Sequence, residues 1–222
     1  MDKLKRKITF VAIIMLLLII GIMTNINKNQ ININISNPFF FEKNMEWVDY
    51  NGYFIPLSGD EIHQKVSVHI IHIKDFSEGV LYKLQLSKLD VTDPFDQLLD
   101  QQTELGYFWV TNGKIYRYPY RDGVDETIDD VVELIQKDMN LFWERCYIVC
   151  DEEGTDDAVM DGEWHQFIEK DDNKRIFRYY SDYTSGTRYY EEIVWEKEKG
   201  IVYYKSGRGE MLMHMELEIE LE

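Results

Sequence analysis

The C-terminal third of the chain constrains the fold most, because it is a succession of apparent strands with very short links. Stretches rich in β-branched and aromatic residues alternate with turn residues, as is typical of antiparallel strands. The predicted strands lie near 145–150, 163–169, 174–181, 187–196, 200–206 and 211–221. The links at 171–174, 196–200 and 206–209 are too short for crossover connections, so the pattern predicts a meander of hairpins.

The last of these strands shows the clearest alternation. From Met211 to Leu221 every odd position is apolar, and from His214 onward every even position is polar. A period of two residues turns one face toward a core and the other toward water. The glutamates that follow His214 therefore predict the wet face of a sheet. On an edge strand, their like charge would also discourage pairing with another chain.

The middle of the chain adds further predicted strands. The runs at 66–73 and 80–86 are rich in β-branched and aromatic residues. Asn51-Gly52 and Asn112-Gly113 each lie between aromatic or apolar stretches, and Asn-Gly readily takes the positive φ angles of a tight hairpin turn. These two dipeptides predict hairpin turns, with strands near 46–56 and 107–118 around them.

Two helices are expected to interrupt the strands. Asp93-Pro94 combines a capping residue with proline at the first helical position, which predicts a helix to about Glu104 that Gly106 ends. The second helix is predicted over 125–140. Its apolar residues recur with helical spacing at Ile128, Val131, Val132, Ile135 and Met139. The acidic residues of its first turns suit the positive end of the helix dipole.

These elements together predict an α+β fold that is mostly β. We expect a large antiparallel meander sheet packed on two helices. A curled sheet of this kind resembles, in plan, the half-barrel of bacterial lipoprotein carriers. The resemblance is one of architecture, so it implies a fold and no activity.

The N-terminus predicts a membrane segment. Four basic residues among the first seven precede an uncharged apolar run from Ile8 to Met23, which spans roughly 24 Å as a helix. A bilayer core is about 30 Å thick, and 24–26 bring the segment close to that length. The residues predicted to lie in the membrane include Ile8, Phe10, Leu16, Leu17, Leu18 and Met23. No small-residue cleavage pattern follows, which favours an uncleaved signal-anchor over a cleaved signal peptide.

This segment sets the expected domain organisation and location. Residues 1–26 are a cytoplasmic basic stub with a transmembrane helix, 27–38 are a tether, and 39–222 are a β-rich domain. The positive-inside rule places the N-terminus in the cytoplasm and the domain outside the cell membrane. If the segment is cleaved, the domain is secreted.

The charge distribution narrows the classes of partner. The chain carries a net charge of −17, but five of its basic residues and one of its acidic residues lie within 1–30. The remainder has 19 basic and 40 acidic residues, a net charge of −21. Such a field repels phosphate backbones, so nucleic acid is not an expected partner. The expected contacts are the membrane, through the N-terminal helix, and an envelope ligand or protein.

The cysteines and histidines do not form a recognisable site. Cys146 and Cys150 are four residues apart, and on one strand their Cα atoms would be about 13 Å apart. A disulfide needs less than about 7 Å, so we interpret both as buried thiols, although a helix there would permit a bond. His69 and His72 point to opposite faces of a strand, which argues against a shared metal.

No cofactor is expected, and calcium is the one metal that the sequence suggests. The acidic stretch 150–163 is predicted to be a loop. Its oxygen ligands would come from Asp151, Glu153, Asp156, Asp157 and Asp161. Calcium prefers six to eight oxygens on a flexible loop, but the EF-hand spacing is absent. The alternative interpretation is a solvated acidic loop.

Three tyrosine pairs form the most distinctive recurrence in the sequence. They lie in three successive predicted strands, at Tyr179-Tyr180, Tyr189-Tyr190 and Tyr203-Tyr204. Adjacent strand residues face opposite sides, so each pair places one ring inside and one outside. The outer rings would form a ladder, with Arg178 and Arg188 able to stack on them. Ordinary cross-strand pairing is the alternative interpretation.

These observations favour a non-catalytic binding protein of the cell envelope, with the tyrosine face as its binding surface. A second hypothesis is a carrier of a lipid or other hydrophobic ligand. Its cavity would be lined by Trp109, Trp143, Trp195 and Met211. A third hypothesis is an envelope hydrolase, although no nucleophile, zinc or phosphate-loop motif is present.

Overall fold

The computed structural model describes residues 35–42, 44–55, 61–87, 104–118, 126–160, 164–181, 188–210 and 213–221. All of them belong to one compact unit, Ile35–Glu222. The predicted transmembrane segment, from Ile8 to Met23, lies outside the described residues. Within the described part of the chain, no helix is both long enough and apolar enough to cross a membrane.

In the described part of the chain, twelve strands form a single antiparallel sheet. The first six are β1 (Trp47–Ile55), β2 (Ile62–Asp75), β3 (Val80–Leu86), β4 (Glu104–Val110), β5 (Lys114–Tyr118) and β6 (Tyr147–Asp151). The other six are β7 (Thr155–Met160), β8 (Trp164–Asp171), β9 (Lys174–Ser181), β10 (Arg188–Glu196), β11 (Gly200–Glu210) and β12 (Met213–Leu221). Two helices, α1 (Ile128–Lys137) and α2 (Met139–Arg145), separate β5 from β6. The mostly β fold with a large antiparallel meander is confirmed.

The first and last strands join the two halves of the sheet. The strand order is β6-β5-β4-β3-β2-β1-β12-β11-β10-β9-β8-β7, and Tyr50 of β1 faces Leu221 of β12. β12 therefore lies in the middle of the sheet. Edge protection is the wrong interpretation of its glutamates, because the sheet edges are β6 and β7.

The sheet rolls into a nearly closed barrel. Its edge strand β6 contacts β8 and β9 near the opposite edge of the sheet. Side chains close the seam between β6 and β9. The Nε atom of Arg175 donates to the backbone oxygens of Asp151 and Glu152, at 3.0 Å each. A buried backbone carbonyl needs a donor, so Arg175 supplies hydrogen bonds that a neighbouring strand would otherwise supply.

The N-terminal segment of the unit occupies part of the barrel interior. The side chains of the wall can fill the interior of a barrel of about eight strands. A barrel of twelve strands is wider, so additional groups are needed inside it. Phe39, Phe40 and Phe41 are buried there, and the Phe40 ring lies 6.1 Å from that of Trp195 of β10. The guanidinium of Arg175 lies 4.6 Å from the centre of the Phe39 ring.

The two helices pack on the outer face of the barrel. Leu81, Tyr107 and Trp109 of β3 and β4 form a second buried cluster with Val131 of α1 and Phe142 of α2. The alternate residues of β3 and β4 belong to the interior cluster. These strands are therefore buried on both faces.

The predicted helices are only partly reproduced. The helix over 125–140 is confirmed, but Asp138 divides it, since it ends α1 and its side chain accepts from the Leu141 amide of α2 at 3.1 Å. Residues 93–103 of the other predicted helix lie outside the described residues. Glu104, its expected last residue, begins β4, and Gly106 lies within that strand with φ 100°.

The two Asn-Gly dipeptides have different structures. Asn112-Gly113 connects β4 to β5, as predicted. The hairpin predicted at Asn51-Gly52 is wrong, because both residues lie inside β1 and pair with β2 and β12. A Cβ atom on Gly52 would lie 2.9 Å from the Cγ1 atom of Val66. Glycine is therefore required here for close packing across the strands and not for a turn.

Candidate functional site

The predicted tyrosine face is assembled in part. Tyr180 of β9 stacks on His165 of β8, with ring centroids 4.8 Å apart and planes 4° apart. Tyr190 of β10 is the cross-strand partner of Tyr180. Tyr203 of β11 pairs with Val194 instead, so the register displaces the third outward tyrosine along the barrel.

The inner members of the pairs are separated from this face. Tyr204 is buried in the barrel interior, and Tyr179 packs against the same interior cluster. Arg188 and Tyr189 lie at the start of β10, where they pair with Gly209 and Arg208. Only the backbone of Arg188 and Tyr189 is described.

Ion pairs connect the outer face of β8, β9 and β10. Arg178 lies 2.7 Å from Glu192 and 2.5 Å from Glu169, and its guanidinium lies 5.8 Å from the centre of the Phe167 ring. Arg178 therefore has carboxylate partners on both neighbouring strands. Opposite charges on neighbouring strands stabilise the solvent-facing side of a sheet, so these ion pairs have a structural explanation.

Two of the predicted calcium residues have lysine partners. Asp151 ends β6 and lies 2.9 Å from the Nζ atom of Lys114, and Glu153 of the next turn lies 3.2 Å from that of Lys170. The prediction of a single loop over 150–163 is wrong, because 155–160 form β7. Each of these two carboxylates therefore has a lysine as its partner.

The other three predicted calcium residues are described only in part. Asp156 is exposed on β7, Asp157 is its neighbour in that strand, and Asp161 lies outside the described residues. Among the residues that the structure describes, no three His, Cys, Asp or Glu side chains are grouped as a metal site would require.

The tryptophans proposed to line a carrier cavity lie on different faces. Trp195 is buried in the interior cluster, whereas Trp109 and Trp143 lie in the outer cluster beneath the helices. Met211 lies outside the described residues. The three tryptophans of the carrier hypothesis therefore do not line one cavity.

Histidines lie next to aromatic rings throughout the sheet. His69 stacks on Trp47 with centroids 3.9 Å apart, and His63 lies 4.8 Å from Tyr53. His69 and His72 have different partners, since His69 stacks on Trp47 whereas His72 lies 3.1 Å from Asp75. These contacts give the described histidines a structural role in cross-strand packing.

The cysteines are free, and Cys150 is buried whereas Cys146 is half-buried. Neither forms a disulfide, and Cys150 is a buried thiol of β6, as predicted. Cys146 follows α2 and precedes β6, so the two cysteines do not share one strand. Burial raises the pKa of Cys146 to about 12 and raises that of Cys150 further. Both thiols stay protonated at physiological pH, so neither is a candidate nucleophile.

Four aromatic rings on the inner wall form a nearly parallel row, which we call the inner ring row. Tyr147 of β6 lies 5.6 Å from Phe177 and 6.0 Å from Tyr179, both of β9. Tyr179 lies 4.9 Å from Trp164 of β8, and the planes of each successive pair differ by 15° or 16°. Phe177 is fully buried, whereas the other three rings are half-buried.

A buried polar network supports this row. Arg117 of β5 forms an ion pair across the interior with Glu191 of β10, and their side chains are 6% and 0% exposed. The hydroxyls of Tyr147 and Tyr204 donate to the two oxygens of Glu191, at 3.2 Å and 3.0 Å. The Nε atom of Arg117 donates to the backbone oxygen of Leu105 at 2.6 Å.

The two tyrosines of the network act as hydrogen-bond donors and not as bases. Burial raises the pKa of Tyr147 well above its usual value, and the nearby carboxylate of Glu191 raises it too. Burial also raises the pKa of Tyr204. Both phenols therefore stay protonated at physiological pH and hold the Glu191 carboxylate in place.

Sequence reasoning identified part of this site. Tyr179 and Tyr204 belong to the tyrosine pairs, and the strand period predicted that one ring of each pair faces inward. Tyr147, Trp164 and Glu191 were missed, because no local pattern shows which strands meet across a barrel. The available signal was an acidic residue at an inward position of β10, two residues before Ile193.

Comparison with known proteins adds no assignment. No protein-family model, curated protein or solved structure matches this chain.

Proposed function

We propose that this chain is a non-catalytic binding protein that holds a small ligand inside its barrel, against the inner ring row. One observation carries the proposal. Trp164 and Tyr179 face the interior and are half-buried, whereas Phe177 and Ile193 on the same inner wall are fully buried. Aromatic surface turned inward without full burial is typical of ligand sites.

The network beneath the row supports the same function. The Tyr147 ring is packed between Phe177 and Tyr179, and its hydroxyl is bonded to Glu191. Rings held in this way lose little freedom when a ligand binds, so less of the binding free energy is spent on ordering. Polar groups next to apolar rings also fix the orientation of a ligand.

The proposed location rests on the N-terminal sequence. The basic residues before the apolar run from Ile8 to Met23 support a membrane anchor with the barrel on the outer side. The ligand would then come from the cell envelope or the medium. A carrier of a hydrophobic ligand is still compatible with this proposal, but its ligand would bind at the inner ring row and not in a cavity lined by the three tryptophans.

Native mass spectrometry of the full-length chain, purified in detergent from its own host, tests the proposal. We expect a retained small molecule in the wild type and its loss in Trp164→Ala. Phe167→Ala is the matched control, because it removes a ring from the outer face of the same strand and should keep the ligand. Absence of any adduct, or an adduct that survives Trp164→Ala, would contradict the proposal.

The outer tyrosine face is the second candidate, favoured by the stack of Tyr180 on His165 and by the pairing of Tyr180 with Tyr190. A partner protein or glycan would then lie flat on β8 to β10. In that case Tyr180→Ala, and not Trp164→Ala, would abolish binding in the same measurement.

A further inference from the structure

We infer that residues 35–41 form a displaceable plug, which keeps the seam between β6 and β9 closed and so controls access to the barrel interior. We call this segment the N-terminal plug. Closure of the seam can be measured without any ligand, whereas the role in ligand access rests on the proposed function. The inference follows from how the plug is attached, where its rings lie and which group of the seam it covers.

The N-terminal plug is attached to the barrel without strand pairing, since none of its residues belongs to a strand. The Nδ2 atom of Asn37 donates to the backbone oxygen of Thr111 at 2.9 Å, and the amide of Ser36 donates to a side chain of the same turn. The backbone oxygen of Pro38 accepts from the amide of Glu198, between β10 and β11, at 2.7 Å. The plug can therefore leave the barrel without breaking a strand pair of the sheet.

The interior provides a fitted place for the rings of the plug. The amide of Phe40 donates to the backbone oxygen of Asn37 at 3.1 Å, which folds the segment into a turn. Phe39, Phe40 and Phe41 are all buried. A Cβ atom on Gly200 would lie 2.3 Å from the Cδ1 atom of Phe41, so the glycine leaves a recess in which that ring lies. Apolar burial is therefore the main attachment of the plug.

One ring of the plug covers the side chain that closes the seam. The guanidinium of Arg175 lies 4.6 Å from the centre of the Phe39 ring, and Arg175 is 2% exposed. Its Nε atom donates across the seam to the backbone oxygens of Asp151 and Glu152. Hydrogen bonds are stronger where water is excluded. Removal of the Phe39 ring would admit water to the guanidinium and weaken its bonds across the seam.

The seam lies within the proposed ligand site. Tyr147 of the inner ring row belongs to β6, whereas Phe177 and Tyr179 belong to β9, so the row spans the seam. Departure of the plug would take Phe39 away from Arg175, and separation of β6 from β9 would then separate the rings of the row. The plug thereby controls both the closure of the barrel and the exchange of a ligand held against the row.

Cys150 of β6 is a native reporter of the seam. It is fully buried in the interior cluster, whereas Cys146 is half-buried and packs against the outer cluster. Labelling of the full-length chain in detergent with N-ethylmaleimide, followed by peptide mapping, gives the ratio of the two labelling rates. Phe39→Leu keeps apolar bulk but removes the ring face, so the ratio of Cys150 to Cys146 should rise about tenfold, as loss of a desolvated cation–π contact predicts.

Phe40→Leu is the matched control. Phe40 is the neighbouring buried ring of the plug, and it packs on Tyr82 and Trp195, with centroids 4.6 Å and 6.1 Å away. This variant should leave the ratio of the labelling rates unchanged. An unchanged ratio in Phe39→Leu, or an equal rise in the two variants, would overturn the inference.

A second variant decides the question if Phe39→Leu does not fold. Asn37→Ala removes the bond to Thr111 and leaves every ring of the plug intact. It should loosen the plug and raise the labelling ratio in the same direction. A folded Asn37→Ala protein with the wild-type ratio would overturn the inference.

The thiol readout and native mass spectrometry separate the two levels of the proposal. If Phe39→Leu raises the labelling ratio but the wild type retains no small molecule, the plug is supported and the proposed function fails. If the wild type retains a molecule but the ratio does not rise in Phe39→Leu, the proposed function is supported and the plug inference is overturned.

Discussion

At the residue scale, the Arg117–Glu191 pair places two charges in the barrel interior. Removing two charges from water is costly, and apolar residues of similar volume often stabilise a core as well or better. The pair joins β5 to β10 across the interior, and Tyr147 and Tyr204 complete the hydrogen bonding of the carboxylate. Its role in our account is to hold Tyr147, and through it the inner ring row, in one position.

Glu191→Gln should destabilise the fold strongly, because it leaves the charge of Arg117 buried without a carboxylate. Loss of one partner of a buried pair typically costs about 3–5 kcal/mol in the free energy of unfolding. Urea denaturation measures the change. Glu133→Gln is the control, since Glu133 pairs with Lys137 on the exposed face of α1 and should change stability by less than about 0.5 kcal/mol. Equal effects of the two variants would contradict this account of the pair.

Gly79 tests the packing of the outer cluster. A Cβ atom there would lie 2.2 Å from the Nε1 atom of Trp109, whose ring is fully buried. Gly79→Ala should therefore reduce the free energy of unfolding by about 1–3 kcal/mol, as overpacking does. Gly113→Ala is the matched control, because a Cβ atom on Gly113 has no neighbour within 4 Å. A Gly79 variant as stable as the Gly113 variant would show that Trp109 can move.

At the element scale, local patterns predicted the strands and α1 well, because they depend on residues close in sequence. The period of two predicted β8 to β12, and the helical spacing around Val131 predicted α1. The errors occurred where distant contacts override a local signal. Asn51-Gly52 is a strong turn signal, yet Gly52 packs closely against Val66 of the neighbouring strand. The acidic stretch that contains β7 lacks apolar alternation, and its pairing with β8 makes it a strand.

The start of α1 gives a prediction that depends on pH. Asp130 accepts from the hydroxyl and the amide of Thr127, at 2.6 Å and 2.8 Å, and these bonds lower the pKa of Asp130 below its ordinary value of 3.8. A lowered pKa contributes stability that is complete above 3.8 and is lost as the pH falls through the folded value. Thr127→Ala should cost about 1 kcal/mol near neutral pH.

Two measurements check this cap. The stability difference between wild type and Thr127→Ala should shrink as the pH falls below 3.8. Carboxyl NMR titration should show the pKa of Asp130 rising toward its ordinary value in the variant. A pKa of Asp130 that does not change would show that Thr127 does not determine it.

At the scale of the whole molecule, the roll of the sheet brings the rings of the inner ring row together. The pairing of β1 with β12 and the contacts of β6 with β8 and β9 are long-range, and the sequence carries no periodic signal for them. The burial of Phe39 to Phe41 could not be foreseen for the same reason. The sequence therefore predicted the strands of the barrel, but not which side chains meet inside it.

Arg175 provides a test of closure. Arg175→Met keeps the length of the side chain but removes the donors to the backbone oxygens of Asp151 and Glu152. Hydrogen bonds from charged groups contribute about 1.5–3 kcal/mol each, so the variant should be less stable and should open at the seam. Hydrogen exchange should quicken in β6 before it does in β1. Uniform loss of protection across the sheet would argue against a local closing role.

The matched pair Tyr179→Leu and Tyr180→Leu tests the central claim most directly. The two tyrosines are neighbours on β9, but Tyr179 belongs to the inner ring row and Tyr180 stacks on His165 outside. Ligand occupancy of the full-length chain can be measured by native mass spectrometry, with urea denaturation to confirm that both variants fold. Our account predicts that Tyr179→Leu loses the ligand and Tyr180→Leu keeps it. Loss in Tyr180→Leu with retention in Tyr179→Leu would contradict it and place the site on the outer face.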